Sequence, residues 1–198
     1  MKRLSVLAAA AVFFATSLAA PAARAAALKI GAPAPDFTLP AASDGKAVAL
    51  KDLLAKSKAV AVVFVATECP VSNAYNTRMA ALGKEYAAKG IPLVGINSNK
   101  TEPATEVKKH AEKHGFTFPV LKDDGNRIAD AYGATRTPEV FVLDPKGNLL
   151  YHGRIDENQD DPQGVKSPDL RNALDAVLSG RPVPAAETKA FGCTIKRV

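Results

Sequence analysis

Residues 63–73 read VFVATECPVSN, an apolar run that ends in a cysteine followed at once by a proline. The run starts at residue 58, and its β-branched side chains are typical of a central strand buried on both faces. Residues 71–89 then carry large side chains at helical spacing, namely Tyr75, Met79, Leu82 and Tyr86. Cys69 is therefore expected where a buried strand gives way to a helix.

The Cys69–Pro70 junction suits the start of that helix. Proline is favoured at the first helical position, because its missing N–H would have no partner there. Unpaired amide donors and the positive end of the helix dipole then point at the Cys69 sulfur, which favours the thiolate and lowers the thiol pKa. Open α/β sheets also place their sites at the carboxyl ends of parallel strands. The alternatives for Cys69 are a small buried hydrophobe or one half of a structural disulfide.

The rest of the chain alternates strands and helices around one core. We expect an α/β sandwich with a mixed β-sheet flanked by helices. Besides the central strand and the helix after it, the expected elements are an extended entry at 28–40, a strand at 91–99, a helix at 103–114, a strand at 116–123, a helix at 126–133, two strands joined by a turn at 145–148, and a helix at 168–179.

Residues 1–26 have the build of a secretory signal peptide. A basic start (Lys2, Arg3) precedes an apolar stretch at 4–20 and a small-residue site at 23–25. The apolar stretch is short for a spanning helix, so we expect cleavage and no stable membrane insertion afterwards. An uncleaved N-terminal anchor is the alternative. Export to a bacterial periplasm is the simplest localisation.

The charge balance argues against nucleic-acid binding. The full chain carries a formal charge of +6, but without Lys2, Arg3 and Arg24 it has 23 lysines and arginines against 20 acids, a net charge of +3. No basic run is mixed with aromatic residues, so we expect no nucleic-acid partner. The chain has two cysteines, Cys69 and Cys193, and in an oxidising compartment they allow one intramolecular pairing.

Three stretches together resemble one family: GAPAPDFTLP (31–40), the Glu68–Cys69–Pro70 junction and RTPEVFVLDPKGNLLYHGRID (136–156). They are similar to the thioredoxin-like superfamily, and most of all to its alkyl hydroperoxide reductase/thiol-specific antioxidant (redoxin) branch. The resemblance covers about residues 28–180. It implies a thioredoxin-like three-layer sandwich, and it implies that Thr137–Pro138 is the threonine and cis-proline pair that faces the reactive cysteine.

The chain departs from that family at several positions. Ser72 stands where thioredoxins carry the second thiol of CxxC. Ala66 and Val62 replace the threonine and proline of the peroxiredoxin motif, and Pro138 replaces its arginine, with Arg136 nearby but out of register. Such donors stabilise charge as the peroxide bond breaks and can supply several kcal/mol. Their absence predicts slow peroxide reduction.

Cys193 is the candidate for the missing partner thiol. We divide the chain into the signal peptide 1–26, a redoxin domain 27–180 and a C-terminal tail 181–198 that carries Cys193. The tail is long enough to fold back over the end of the sheet. Reversible pairing of Cys69 with Cys193, a permanent staple and no pairing all stay open. Glu68 adjoins the sulfur, either as a proton acceptor or as a charge that raises the Cys69 pKa.

These residues predict an exported thiol–disulfide oxidoreductase of peroxiredoxin-like type. Cys69 is expected to be the nucleophile, Cys193 the resolving thiol, and Thr137 and Pro138 the groove for a partner. The expected substrates are protein thiols and disulfides or small hydroperoxides, with an unidentified electron donor and no cofactor. The alternatives are a thiol peroxidase with antioxidant activity, or a redox-inactive binding module that holds a partner or copper through Cys69 and His152.

Overall fold

The computed structural model describes residues 28–198, so the signal peptide expected at 1–26 lies outside the described residues. In chain order the elements are β1 (Thr38–Pro40), β2 (Ala47–Ala49), α1 (Leu50–Leu54), β3 (Val60–Phe64), α2 (Pro70–Ala74), α3 (Asn76–Ala88), β4 (Leu93–Asn97), α4 (Ala104–Lys113), β5 (Val120–Lys122), α5 (Arg127–Tyr132), β6 (Arg136–Thr137), β7 (Glu139–Leu143), β8 (Leu149–Gly153), α6 (Asp169–Leu178) and β9 (Cys193–Thr194).

The central sheet has five strands in the order β5-β4-β3-β7-β8. Strands β3, β4 and β5 are parallel, whereas β7 runs antiparallel to β3 and β8 antiparallel to β7. Every residue of β3, β4 and β7 is buried, as the continuous apolar runs predict. The expected mixed sheet is confirmed.

Helices cover both faces of this sheet. Side chains alternate along β3, so that Ala61 and Val63 join one hydrophobic cluster while Val62 and Phe64 join the other. The first cluster contains residues of α3, α4 and α6, and the second contains residues of α1 and α5. The molecule is therefore the three-layer α/β sandwich that the sequence predicts. No helix among residues 28–198 is both long enough and apolar enough to cross a bilayer.

The helix expected at 71–89 is divided at Tyr75. The Tyr75 N–H bonds to the Ser72 carbonyl at 3.1 Å, a tight turn between α2 and α3. The Tyr75 hydroxyl also donates a hydrogen bond to the carboxylate of Asp156 at 3.0 Å, and Asp156 lies in the segment between β8 and α6. The apolar spacing identified the buried face correctly but not this break, because the break depends on hydrogen bonds that the spacing does not record.

Candidate active site

Cys69 occupies the N-cap of α2, after the short loop that follows β3. Its backbone is extended, Pro70 takes the first helical position, and the Ser72 N–H donates to the Cys69 sulfur at 3.3 Å. The side chain is only 3% exposed. The sequence predicted this position from the strand, the Cys-Pro junction and the helix, and the structure places the sulfur there.

Thr137 and Pro138 face Cys69 from the other side of the site. The Cys69 thiol donates to the Thr137 carbonyl oxygen at 3.3 Å. Thr137 and Pro138 are both buried, and the peptide bond between them is cis, as the family resemblance implies. The structure thus brings together the cysteine and the threonine–proline pair, which lie far apart in the sequence.

Cys193 reaches the same place from the C-terminal tail. In the antiparallel pairing of β6 with β9, Cys193 lies opposite Thr137 and Thr194 lies opposite Arg136. Cys193 is half-buried, and both cysteines are free thiols in the structure. Thr137 therefore has two neighbours in the site: its carbonyl oxygen accepts the hydrogen bond from the Cys69 thiol, and Cys193 lies opposite it in the ladder.

The surroundings of the two sulfurs separate their pKa values. Burial by itself raises the pKa of Cys69, but hydrogen bonds from the Cys193 thiol and the Ser72 N–H outweigh it, so the pKa of Cys69 lies below its ordinary value. Burial and the neighbouring Cys69 sulfur raise the pKa of Cys193. Cys69 is therefore the first of the two to become a thiolate, the reactive form.

Glu68 is exposed, and its carboxylate accepts a hydrogen bond from the Thr101 hydroxyl at 3.4 Å. Its backbone N–H donates to Glu102 at 3.1 Å. The hydrogen bonds of Glu68 thus lead to the loop after β4 rather than to the sulfur. A role for its carboxylate in proton transfer stays a prediction.

Glu102 is a site residue that the sequence did not reveal. It is 1% exposed, and its carboxylate accepts the N–H groups of Thr67 at 2.7 Å and of Glu68 at 3.1 Å. The side-chain amides of Asn97 and Asn99 donate to the same carboxylate. Burial raises the pKa of Glu102, but these donors outweigh it and hold the pKa below its usual value. The only signal in the sequence is the polar run at 97–102 after a buried strand.

Ser72 occupies the position at which thioredoxins carry the second thiol of CxxC, and its role here is structural. The side chain is fully buried, and its hydroxyl oxygen accepts the Ala66 N–H at 3.3 Å. Since the Ser72 N–H also bonds to the Cys69 sulfur, the residue joins the end of β3 to the first turn of α2. It fixes the backbone on both sides of the cysteine.

Glu139 is a second site residue that the sequence did not reveal, although it follows Pro138 directly. One carboxylate oxygen accepts the N–H groups of Thr135 and Arg136 at 2.7 and 2.8 Å, and the other lies 2.7 Å from His152 Nε2. His152, considered above as a metal ligand with Cys69, is paired with this carboxylate instead. Within residues 28–198 no group of three or more His, Cys, Asp or Glu side chains is arranged to hold a metal ion.

A model of the AhpC/TSA family matches residues 30–152. The thiol-disulfide oxidoreductase ResA of Bacillus thuringiensis (strain Al Hakam) is 32% identical over 123 residues, which are 62% of this chain and 68% of that protein. ResA of Halalkalibacterium halodurans is 28% identical over 107 residues, 54% of this chain and 58% of that protein. The matches thus span between 58% and 68% of the length of these two relatives.

Two crystal structures extend the similarity to the fold. A hypothetical protein from Sinorhizobium meliloti 1021, SMc02350, superposes with a TM-score of 0.80 and 34% identity, covering 87% of this chain and 97% of its own. The peroxidoxin BcpB from Mycobacterium tuberculosis superposes with a TM-score of 0.62 and 26% identity, covering 77% of this chain and 97% of its own.

Proposed function

This chain belongs to the AhpC/TSA family of thioredoxin-like proteins, and on that premise we propose that it is an exported thiol–disulfide oxidoreductase of peroxiredoxin-like type. Cys69 is the nucleophile and Cys193 the resolving thiol. One observation carries the proposal: the Cys69 thiol lies 3.3 Å from the carbonyl oxygen of Thr137, and Cys193 faces Thr137 across the ladder. The family and the ResA relatives support the oxidoreductase role.

The reaction follows from the order in which the two thiols ionise. The Cys69 thiolate attacks one sulfur of a disulfide, forms a mixed disulfide with it and releases the other sulfur as a thiolate. Cys193 then loses its proton and attacks the Cys69 sulfur. That step forms the Cys69–Cys193 bond and releases the second substrate sulfur as a thiolate. The substrate is reduced by two electrons, and the two cysteines are oxidised.

Peroxide reduction is a second candidate, favoured by the similarity to the peroxidoxin BcpB. The geometry around the sulfur supports only a slow reaction. The groups that donate to the Cys69 sulfur are the Ser72 N–H and the Cys193 thiol, and the Cys69 thiol itself donates to the Thr137 carbonyl. The Arg136 guanidinium is exposed and donates instead to the Gly192 carbonyl and the Thr194 hydroxyl. It thus supplies no preorganised cation for the leaving oxygen.

Export is proposed from the sequence of residues 1–26 alone. N-terminal sequencing of the protein recovered from the periplasm tests it. A mature chain that starts near residue 27 supports cleavage, whereas a chain that starts at Met1 contradicts it.

Thiol counting by mass tests the proposed chemistry. Purified mature protein is oxidised mildly, alkylated, and then alkylated again after dithiothreitol. We expect no label before reduction and two labels after it, with both peptides joined through Cys69 and Cys193. Cys193→Ser is the control, and it should form no internal disulfide. Two free thiols in the oxidised wild-type protein would contradict the proposal.

A further inference from the structure

The strand edge beside Cys69 is already occupied by the chain itself. A short strand such as β6 offers unpaired backbone groups to which an extended partner can add as a new strand. In this protein β9 pairs with β6 in that way, antiparallel and with Cys193 opposite Thr137. The tail thus takes the position, and supplies the cysteine, that an extended protein substrate would bring to Cys69.

The fit between the tail and this edge leaves no room for a second chain. A Cβ atom at Gly192 would collide with the Thr137 carbonyl oxygen and touch the Val71 side chain, so only glycine allows this close approach. Phe191 packs against Tyr75 with ring centroids 6.3 Å apart. The tail backbone therefore lies directly against both β6 and α2.

The C-terminal end of the tail is anchored beyond β9. Ile195 is 3% exposed, belongs to a core cluster and donates its N–H to the Thr135 carbonyl at 3.1 Å. The Lys196 N–H bonds to the Asn99 side chain at 2.7 Å, and the Val198 N–H bonds to Asn126 at 2.8 Å.

The tail is also held ahead of β9. The Thr188 N–H bonds to the His152 carbonyl at 3.0 Å, and the His152 N–H bonds to the Ala186 carbonyl at 2.9 Å. Because hydrogen bonds hold the tail both before and after β9, the segment that carries Cys193 is an integral part of the site.

We propose that β9 acts as a built-in substrate strand that keeps extended protein segments away from Cys69, an inference that rests on the proposed function. Cys69 then reacts with small disulfides, and larger thiols exchange at Cys193. The exposure of the two thiols agrees with this division, since Cys69 is 3% exposed whereas Cys193 is half-buried.

Reduction of the Cys69–Cys193 disulfide by attack at Cys193 takes its two electrons from external thiols. An external thiolate attacks the Cys193 sulfur of the Cys69–Cys193 disulfide and forms a mixed disulfide there. The bond between the two cysteines breaks, and its electron pair leaves on Cys69. A second external thiolate attacks the sulfur of the bound reductant, which frees Cys193 as a thiolate and releases the oxidised reductant as a disulfide.

Single-cysteine variants test this division. Cys193→Ser leaves Cys69 as the only thiol, and Cys69→Ser leaves Cys193. Each variant reacts with two probes that share thionitrobenzoate as leaving group: the mixed disulfide of cysteamine, and that of a short extended peptide with one cysteine. The ratio of the two rates for one thiol cancels its thiolate fraction. We expect Cys69 to disfavour the peptide about tenfold more strongly than Cys193 does, because the peptide must displace the ladder hydrogen bonds between β9 and β6. Equal ratios would overturn the proposal.

A substitution in the tail tests whether β9 is the cause. Gly192→Ala in the Cys193→Ser protein pushes the tail away from Thr137, and we expect it to raise the peptide rate at Cys69 toward the small-probe rate. Gly45→Ala is the matched control, because Gly45 also has a positive φ, of 74°, but open space around it. An unchanged ratio in folded Gly192→Ala protein would overturn the role of β9. A wild-type protein that forms no disulfide would instead contradict the proposed function, whatever these ratios are.

Discussion

Cys193 lies directly opposite Thr137 in the ladder of β6 and β9, although Thr137 belongs to the redoxin domain and Cys193 to the C-terminal tail. The Thr137 carbonyl is also the acceptor for the Cys69 thiol. The first turn of α2 has Ser72 in place of a second cysteine, and the fold brings the thiol of Cys193 to this site from the C-terminal tail.

The pKa of Cys69 should depend on the side chain at position 193. Cys193→Ala removes a hydrogen-bond donor that stabilises the Cys69 thiolate, so we expect the Cys69 pKa to rise. Cys193→Ser keeps a donor and should cause a smaller rise. The ultraviolet absorbance of the thiolate, followed against pH, measures the Cys69 pKa in both variants. A Cys69 pKa that stays the same or falls in Cys193→Ala would show that Cys193 does not stabilise the thiolate.

Glu102→Gln should destabilise the protein by about 1–3 kcal/mol near neutral pH, because a neutral amide replaces a charged acceptor of four hydrogen bonds. The pKa of Glu102 is lowered in the folded state, so the unfolded state binds its proton more readily. Its stabilising effect is therefore present above the unfolded pKa and is lost as the pH falls through the folded pKa.

Urea unfolding at a series of pH values measures this effect. We expect the loss of stability in acid to be smaller in Glu102→Gln than in the wild-type protein. Glu106→Gln serves as the control, since Glu106 forms only an exposed pair with Lys109. Parallel acid profiles for the wild-type protein and Glu102→Gln would show that the carboxylate does not support the loop before Cys69.

Ile195→Ala should weaken both the fold and the cysteine pairing. A buried isoleucine cut to alanine costs about 2–5 kcal/mol, and Ile195 also anchors the strand that carries Cys193. Ile155→Ala is the matched control, since Ile155 is equally exposed at 3% but belongs to the cluster on the other face.

Two quantities are measured for both variants. One is the free energy of unfolding, and the other is the equilibrium constant of the Cys69–Cys193 disulfide in a thiol buffer. We expect similar losses of stability but a shift of the disulfide equilibrium in Ile195→Ala alone. Equal shifts in both variants would mean that the anchor has no specific effect on Cys193.

Arg136→Gln should leave peroxide consumption within about twofold of wild type. The guanidinium bonds to the tail rather than to the Cys69 sulfur, and removal of a true transition-state donor costs about 100-fold or more. Stopped-flow consumption of hydrogen peroxide measures the rate. A loss of about 100-fold would place Arg136 at the reacting oxygen and favour the thiol peroxidase.

The sequence predicted the parts of the site that depend on local patterns. The apolar run, the Cys69–Pro70 junction and the helical spacing after it locate Cys69 at the start of a helix, since each reflects short-range backbone preferences. The family resemblance added the Thr137–Pro138 pair, and the length of the tail made its return over the sheet end feasible. These features place the two cysteines in the same region but not in one ladder.

The buried carboxylates could not be predicted from the sequence. Glu102 and Glu139 look like ordinary surface residues in the chain, and their importance comes from backbone N–H groups that only the folded loops bring to them. The division of the helix at Tyr75 has the same origin, because it depends on hydrogen bonds to Ser72 and to the distant Asp156. Such contacts between distant segments leave no periodic signal.

A redox titration of the mature protein in glutathione buffers of varied ratio, with the free thiols counted by mass at each ratio, shows whether Cys69 and Cys193 form a reversible pair. We predict that Cys69 and Cys193 change together in one two-electron transition, with half of the protein oxidised inside the range that glutathione can reach. Cys193→Ser should replace this transition by a mixed disulfide of Cys69 with glutathione. A bond that no ratio reduces, or two thiols that no ratio joins, would contradict the claim that these cysteines work as a reversible pair.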